Sequence, residues 1–138
     1  MNIKKIFVLL LFVVAIVGII APVNSSANDP DVDEGSFKVN GGKAEYSANY
    51  EYSKNKINKN ALRFSIYAYN KKIDSFSIDY SLKKTKNQIK VYSETYEDHE
   101  FKSKSVKTYR TTKSLKNFYF NTFKKKGIDQ VKKRFKKW

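Results

Sequence analysis

The sequence predicts a mainly β (α+β) protein: an antiparallel β-meander or small sandwich with a C-terminal basic amphipathic helix. Three observations predict it. Four runs between Ala44 and Tyr96 alternate apolar with polar residues at the period of two that a pleated strand imposes. These runs are rich in Tyr, Phe, Ile and Val, which suit a half-buried sheet, and short polar connections between them favour pairing of consecutive strands. At the C-terminus the period changes: Ile128, Val131, Phe135 and Trp138 fall within about 80° of arc on a 3.6-residue helix.

Residues 28–35, Asn-Asp-Pro-Asp-Val-Asp-Glu-Gly, form an acidic leader expected to be a solvated spacer, with contact to the basic tail as the alternative. The antiparallel β domain is expected over residues 36–112. Phe37 and Val39 precede Asn40-Gly41-Gly42, a hairpin signal. Ala44, Tyr46, Ala48, Tyr50 and Tyr52 then give the cleanest alternation in the chain. Ser53 to Asn60 reads as a Lys/Asn loop. Leu62, Phe64, Ile66 and Ala68 alternate again, with Tyr67 and Tyr69 on the other face, as in a strand that is central or covered on both sides. Asn70-Lys71-Lys72 is a tight turn, and Ile73, Phe76, Ile78, Tyr80 and Leu82 make the third alternation. Lys83 to Asn87 is a polar loop. Ile89 and Val91 oppose Tyr92 and Tyr96 in a fourth strand, and Glu97 to Glu100 is an acidic loop. Phe101 to Thr112 is weaker and fits an edge strand guarded by lysines.

The basic C-terminal segment, residues 113–138, is expected to be partly helical. Leu115, Phe118, Tyr119, Thr122 and Phe123 suit a helix, while Asn117 to Asn121 also suits a strand with Phe118 and Phe120 inward. Gly127 is expected to stop or kink the chain. Beyond it, residues 128–138 form a short amphipathic helix, marginal in water unless its apolar face is packed.

Charge is strongly segregated along the chain. Residues 28–100 carry 12 Lys and Arg against 12 Asp and Glu, whereas residues 101–138 carry 14 against the single acid Asp129. A neutral body with a cationic end attracts polyanions and anionic surfaces. Lys dominates, with Arg only at 63, 110 and 134, and an AT-rich genome raises Lys everywhere; it does not remove acids after Glu100.

Lys4 and Lys5, the apolar run Ile6–Ala21, Pro22 and Ser25-Ser26-Ala27 match the three parts of a secretory signal peptide, residues 1–27. An uncleaved N-terminal membrane anchor is the alternative, although the run is short of the ~20 residues that span a bilayer. Either places the body outside the cytoplasm, secreted or at the cell surface. The chain has no Cys, so no disulfide, thiol nucleophile or Cys-ligated metal is expected, and the apolar core must hold the fold.

No catalytic, cofactor-binding or metal motif stands out. His99, the one histidine, sits with Glu94, Glu97, Asp98 and Glu100 in a loop that lacks the spacing of a calcium or zinc site, and it reads as solvated. There is no Gly-rich phosphate loop and no nucleophile–base grouping, so a non-enzyme is expected. Tyr46, Tyr50 and Tyr52 could stack on glycan rings if exposed, but they occupy the one apolar face of their strand, and core packing is expected. Export and scarce Arg argue against nucleic acid. The expected anion- or membrane-binding residues are Lys124, Lys125, Lys126, Lys132, Lys133, Arg134, Lys136, Lys137 and Trp138.

The leader, with its Asn-Ile-Lys-Lys start, long Val/Ile/Leu run and Ala-Pro-Val-Asn end, resembles those of small secreted proteins of AT-rich methanogenic archaea, and the Lys/Asn/Tyr-rich body is similar in composition. The resemblance implies a cell-surface or envelope role and transfers no site residue. The resulting expectation is a secreted, non-enzymatic envelope protein whose basic end binds an anionic polymer or membrane. A secreted cationic membrane-active effector, or a structural module without a specific ligand, are the alternatives.

Overall fold

The structure, a computed structural model, describes residues 29–137; residues 1–28, among them the expected signal peptide 1–27, and Trp138 lie outside the described residues. Chain contacts divide the protein into Met1–Pro30 and Asp31–Trp138, and the second unit contains every core residue discussed below.

Six strands form one antiparallel sheet in chain order: β1 (Asp31–Val39), β2 (Gly42–Ser53), β3 (Lys56–Asn70), β4 (Phe76–Thr85), β5 (Gln88–Glu97) and β6 (Glu100–Arg110). The meander reading therefore holds, and the sandwich does not form. Long strands run where loops were expected. The Ser53–Asn60 loop shrinks to a turn at Lys54-Asn55, and the acidic loop shrinks to a turn at Asp98-His99. All four of these turn residues have positive φ, the conformation whose twist matches paired strands across a two-residue hairpin. Asn and Asp supply it through short side chains that tolerate the left-handed region. Asn40-Gly41 makes the first hairpin, with Gly41 at φ 75°. After β3, the Asn70 Oδ1 accepts from the backbone N–H of Lys72 and Ile73 at 2.8 and 2.9 Å. Such a side-chain turn competes with the ladder and ends the strand.

The acidic leader is not a free spacer. From Asp31 onward it pairs with β2 as an edge strand. Alternation from Val39 and Phe37 places Asp33, opposite the buried Ala48, on the covered face of the sheet, and the register shifts only beyond it, between Asp31 and Asp33.

Alternation sorts the two faces. Ala44, Ala48, Leu62, Phe64, Ile66, Ala68, Phe76, Ile78, Tyr80, Leu82, Ile89 and Val91 are buried on one face. A single helical segment covers that face: α1 (Leu115–Phe118), a π-helical turn (Tyr119–Phe123) and α2 (Lys124–Phe135). The strand alternative for Asn117–Asn121 is thus excluded. Ser114 caps the start, its Oγ accepting from the Asn117 N–H at 3.2 Å. At the far end, the Asn40 side-chain amide donates to the Phe135 carbonyl at 3.2 Å, satisfying one of the orphaned acceptors of the last turn.

Buried residues on this segment recur every four positions: Leu115, Tyr119, Phe123, Gly127, Val131 and Phe135. At 3.6 residues per turn such a line drifts by about 200° over those five steps. The wider π turn in the middle offsets part of the drift and keeps both halves on the sheet. Gly127 neither stops nor kinks the chain. It lies inside α2, and a Cβ there would sit 2.8 Å from Phe64 Cε2, so its missing side chain lets helix and sheet approach.

Phe64 is the hub of the core. Its ring stacks on Tyr80 at 5.6 Å between centroids and meets Tyr119 and Phe123 edge-on at 5.0 and 6.2 Å. Edge-to-face contacts of this kind add to area burial. Tyr46 and Tyr50 pack against this core as expected of their strand face, while Tyr52, past the β2–β3 register shift, is exposed.

Candidate functional site

Docking decides what each basic residue of the C-terminal segment can do. The helix buries its apolar side, with Val131 and Phe135 at 1% and 0% exposure, so the cations are sorted by their distance from the sheet.

Lys124 faces inward. Its Nζ lies 2.8 Å from Asp33 Oδ2, and its ammonium sits over the Tyr46 and Phe120 rings at 5.0 and 5.7 Å. Burial works against its charge, but the hydrogen bond and charge of Asp33, helped by Tyr46, hold its pKa above the ordinary value. Tyr119 donates its hydroxyl to the same Asp33 oxygen at 2.8 Å. Burial first, and the adjacent Asp33 carboxylate second, push the Tyr119 pKa far up. The acidic strand is thereby fastened to the basic helix, and Lys124 belongs to the fold rather than to a surface site.

Arg134 is also engaged: it pairs with Glu97 at the end of β5 and lies over the Phe76 ring at 5.2 Å. Lys125 reaches Asp129 one turn on at 2.8 Å, an exposed pair that neutralises part of the stripe. Lys126 and Lys132 lean over Tyr109 and Phe37 at 5.3 and 5.6 Å, with their charged ends toward solvent. Lys133, Lys136 and Lys137 are exposed and form no ion pair among the described residues. The expected site thus divides. Lys126, Lys132, Lys133, Lys136 and Lys137 present an outward cationic face, and Lys124, Lys125 and Arg134 are tied to acids.

One contributor was not singled out from the sequence. Lys107 on β6 adjoins the helix: its Nζ is 5.3 Å from the same Tyr109 ring that Lys126 covers. The exposed edge strand therefore extends the cationic face. Its signal was present in the acid-free run from Phe101, but adjacency to the helix requires the fold.

The opposite face of the sheet has no helix on it among the described residues. Tyr67, Tyr69, Tyr92, Phe101 and Val106 are each at least 40% exposed there. Shorter polar side chains, among them Ser65, Ser77, Asp79 and Ser81, lie between them in register. Among the described residues no three His, Asp or Glu side chains group as a metal site. His99 and Asp98 are committed to the β5–β6 turn, where the Asp98 N–H donates to the Ser75 carbonyl at 2.8 Å. Among the described residues no helix is long and apolar enough to cross a membrane. The chain matches no known protein family, no curated protein and no solved structure.

Proposed function

We propose that this chain is a secreted, non-enzymatic envelope protein that holds an anionic surface polymer on the outer face of α2. One observation carries the reading: Lys126, Lys132, Lys133, Lys136 and Lys137 point outward from a helix whose apolar side is already occupied by the sheet. A rigid row of cations binds a polyanion without first ordering a peptide, which lowers the entropic cost of association. Each lysine near an anionic surface contributes about 1 kcal/mol. The leader supports export, and the resemblance of the leader to those of archaeal secreted proteins supports an envelope location.

The burial of Val131 and Phe135 favours capture by charge over insertion into a bilayer. A membrane-active effector would have to undock the helix and expose Phe64, Tyr80 and their neighbours to water, at roughly 25 cal/mol per Å² uncovered.

The test is co-sedimentation of residues 28–138 with producer-cell envelopes and with anionic and neutral vesicles, at low and physiological salt. The comparison is the triple charge reversal Lys133→Glu, Lys136→Glu, Lys137→Glu, which touches only exposed positions. Binding to envelopes that falls steeply with salt and is lost in the variant is expected. Salt-independent binding, or equal binding by the variant, refutes the mechanism. Dye leakage from anionic vesicles would instead support the effector.

A further inference from the structure

The two edges of the sheet differ in charge. β1 and β6 stand at opposite ends of the strand order, and among the described residues no strand pairs with the outer side of either. β6 is 11 residues long with all but Tyr109 exposed, and β1 is 9 residues long. Such edges present rows of unmatched N–H and C=O groups that accept another strand. β6 carries Lys102, Lys104, Lys107 and Arg110 against Glu100, whereas β1 carries Asp31, Asp33 and Glu34 against Lys38. Asp33 is turned to Tyr119 and Lys124, and Glu34 is exposed on the uncovered face.

Charge sorts the ways in which two copies can meet. β6 against β6 sets lysine against lysine, and β1 against β1 sets carboxylate against carboxylate; like charges directly opposite destabilise a strand pair. β6 against β1 joins opposite charges, and the strand number permits it. Six antiparallel strands leave β1 and β6 running in opposite directions. A second copy in the same orientation therefore continues the antiparallel meander, with its helix on the same face. Six strands spaced about 4.8 Å apart put successive helices about 29 Å apart, which leaves room for a helix ~10–12 Å wide. That separation is several times the Debye length of about 8 Å at physiological salt, so the α2 cations of neighbouring copies are screened from one another while the touching edges keep their attraction.

We propose that the protein assembles with copies of itself, the basic edge β6 of one copy adding to the acidic edge β1 of the next. Lys104 and Glu34 both lie on the uncovered face, so they stand on the same side of the new strand pair. Val106, 59% exposed on β6, is partly covered by the incoming strand. The contact is heterologous, so every added copy leaves one β1 and one β6 open at the ends. Sheet twist turns each strand by about −20 to −25° relative to the last, around an axis that crosses the strands. Copies are added along that same axis. They are therefore related by a screw, which does not close into a ring, and the product is an open filament. The proposal does not rest on the polymer-binding reading, since the joint uses none of Lys126, Lys132, Lys133, Lys136 and Lys137.

Sedimentation velocity of residues 28–138, which include the whole core-forming unit, reads the assembly with no polymer or vesicle present. At physiological salt the weight-average mass should rise with protein concentration through a series of oligomers with no preferred end point. A protein that stays monomeric over an about hundredfold range of concentration overturns the proposal. A mass that stops at a dimer also overturns it, because that end point belongs to an isologous contact. Amide hydrogen exchange locates the joint: exchange in β1 and β6 should slow at high concentration, with β3 and β4 unchanged. Association without added protection at those two edges refutes the assignment.

Charge reversal tests the match between the edges. Glu34→Lys with Ser36→Lys makes β1 basic, and Lys102→Glu with Lys104→Glu makes β6 acidic; all four positions are exposed. Each variant alone then meets like charge at the joint and should associate at least about tenfold more weakly than the parent. Mixed in equal amounts, the two should associate again, because the basic β1 of one fits the acidic β6 of the other. Variants that had failed to fold could not give that regain. Undiminished association of either variant alone, or no regain on mixing with both sheets intact by circular dichroism, overturns the proposal whatever the fate of the polymer reading.

Discussion

Asp33→Ala should be among the most damaging single changes at the surface of this protein, although the residue comes from a segment that reads as a free acidic leader. One carboxylate oxygen receives both the Tyr119 hydroxyl and the Lys124 ammonium, each at 2.8 Å. Tyr119 is 0% exposed, so water cannot replace the lost acceptor, and an unsatisfied buried hydroxyl costs about 1–3 kcal/mol. The Lys124 side chain retains 28% exposure and its aromatic neighbours, so its ammonium can rehydrate in part. Its loss adds about 1 kcal/mol rather than the 3–5 kcal/mol expected of a fully buried pair. Together the change should cost about 2–4 kcal/mol, seen as a fall in Tm of about 8–16 °C for a domain of this size. Asp33→Asn keeps an acceptor for Tyr119 and should cost about half as much. Lys124→Met should cost less still, because Asp33 then keeps its Tyr119 donor and some contact with water. Urea unfolding followed by circular dichroism measures all three and the double variant. If Asp33→Ala lies within about 0.5 kcal/mol of the parent, or if Lys124→Met is the more damaging, the argument that this carboxylate fastens helix to strand is wrong.

The same network predicts sensitivity to alkali. Tyr80 and Tyr119 have pKa values raised mainly by burial, and that of Lys124 is raised by Asp33 against burial. A folded state that keeps protons the unfolded chain gives up loses stability as pH rises, so stability should be flat below about pH 9.5 and fall above pH 10. The slope should be up to about 1.4 kcal/mol per pH unit for each group, and unchanged urea midpoints from pH 8 to 11 would refute it. Gly127→Ala should destabilise despite the ~1 kcal/mol gain in helix propensity. The new methyl would stand 2.8 Å from the buried Phe64 ring, and overpacking costs about 1–3 kcal/mol. A higher Tm in that variant would mean that the Phe64 ring yields easily.

Periodicity made the sheet legible. Ala44–Tyr50, Leu62–Ala68, Phe76–Leu82 and Ile89–Val91 turn toward the core the residues that alternation assigns to one face, because a half-covered sheet repeats its environment every two residues. The same rule failed at the strand ends, where Lys and Asn at 54–60 and 83–87 read as loops. Hairpin turns of two residues kept most of those polar positions paired, with Lys59 and Asn60 in the bulge opposite Tyr50 and Glu51. Ambiguity at Asn117–Phe123 had a similar origin, since adjacent aromatics satisfy both periods. Phe118, Tyr119 and Phe123 could be resolved only by what they touch, namely Tyr109, Phe64 and Tyr80. The candidate site was legible as a composition, the basic run after Glu100 with Asp129 as its one acid, and not as a geometry.

By itself, then, the order of residues determined the strands, their antiparallel succession, the amphipathic end and the sign of its charge, because each of these depends on neighbours a few positions apart. Tertiary structure alone decided which lysines face water, that Asp33 joins Tyr119 and Lys124, that Gly127 is a contact rather than a stop, and that Arg134 pairs with Glu97. Those outcomes depend on distances between residues 37 to 91 positions apart, and chain pattern carries no information about such distances until the helix has settled on the sheet.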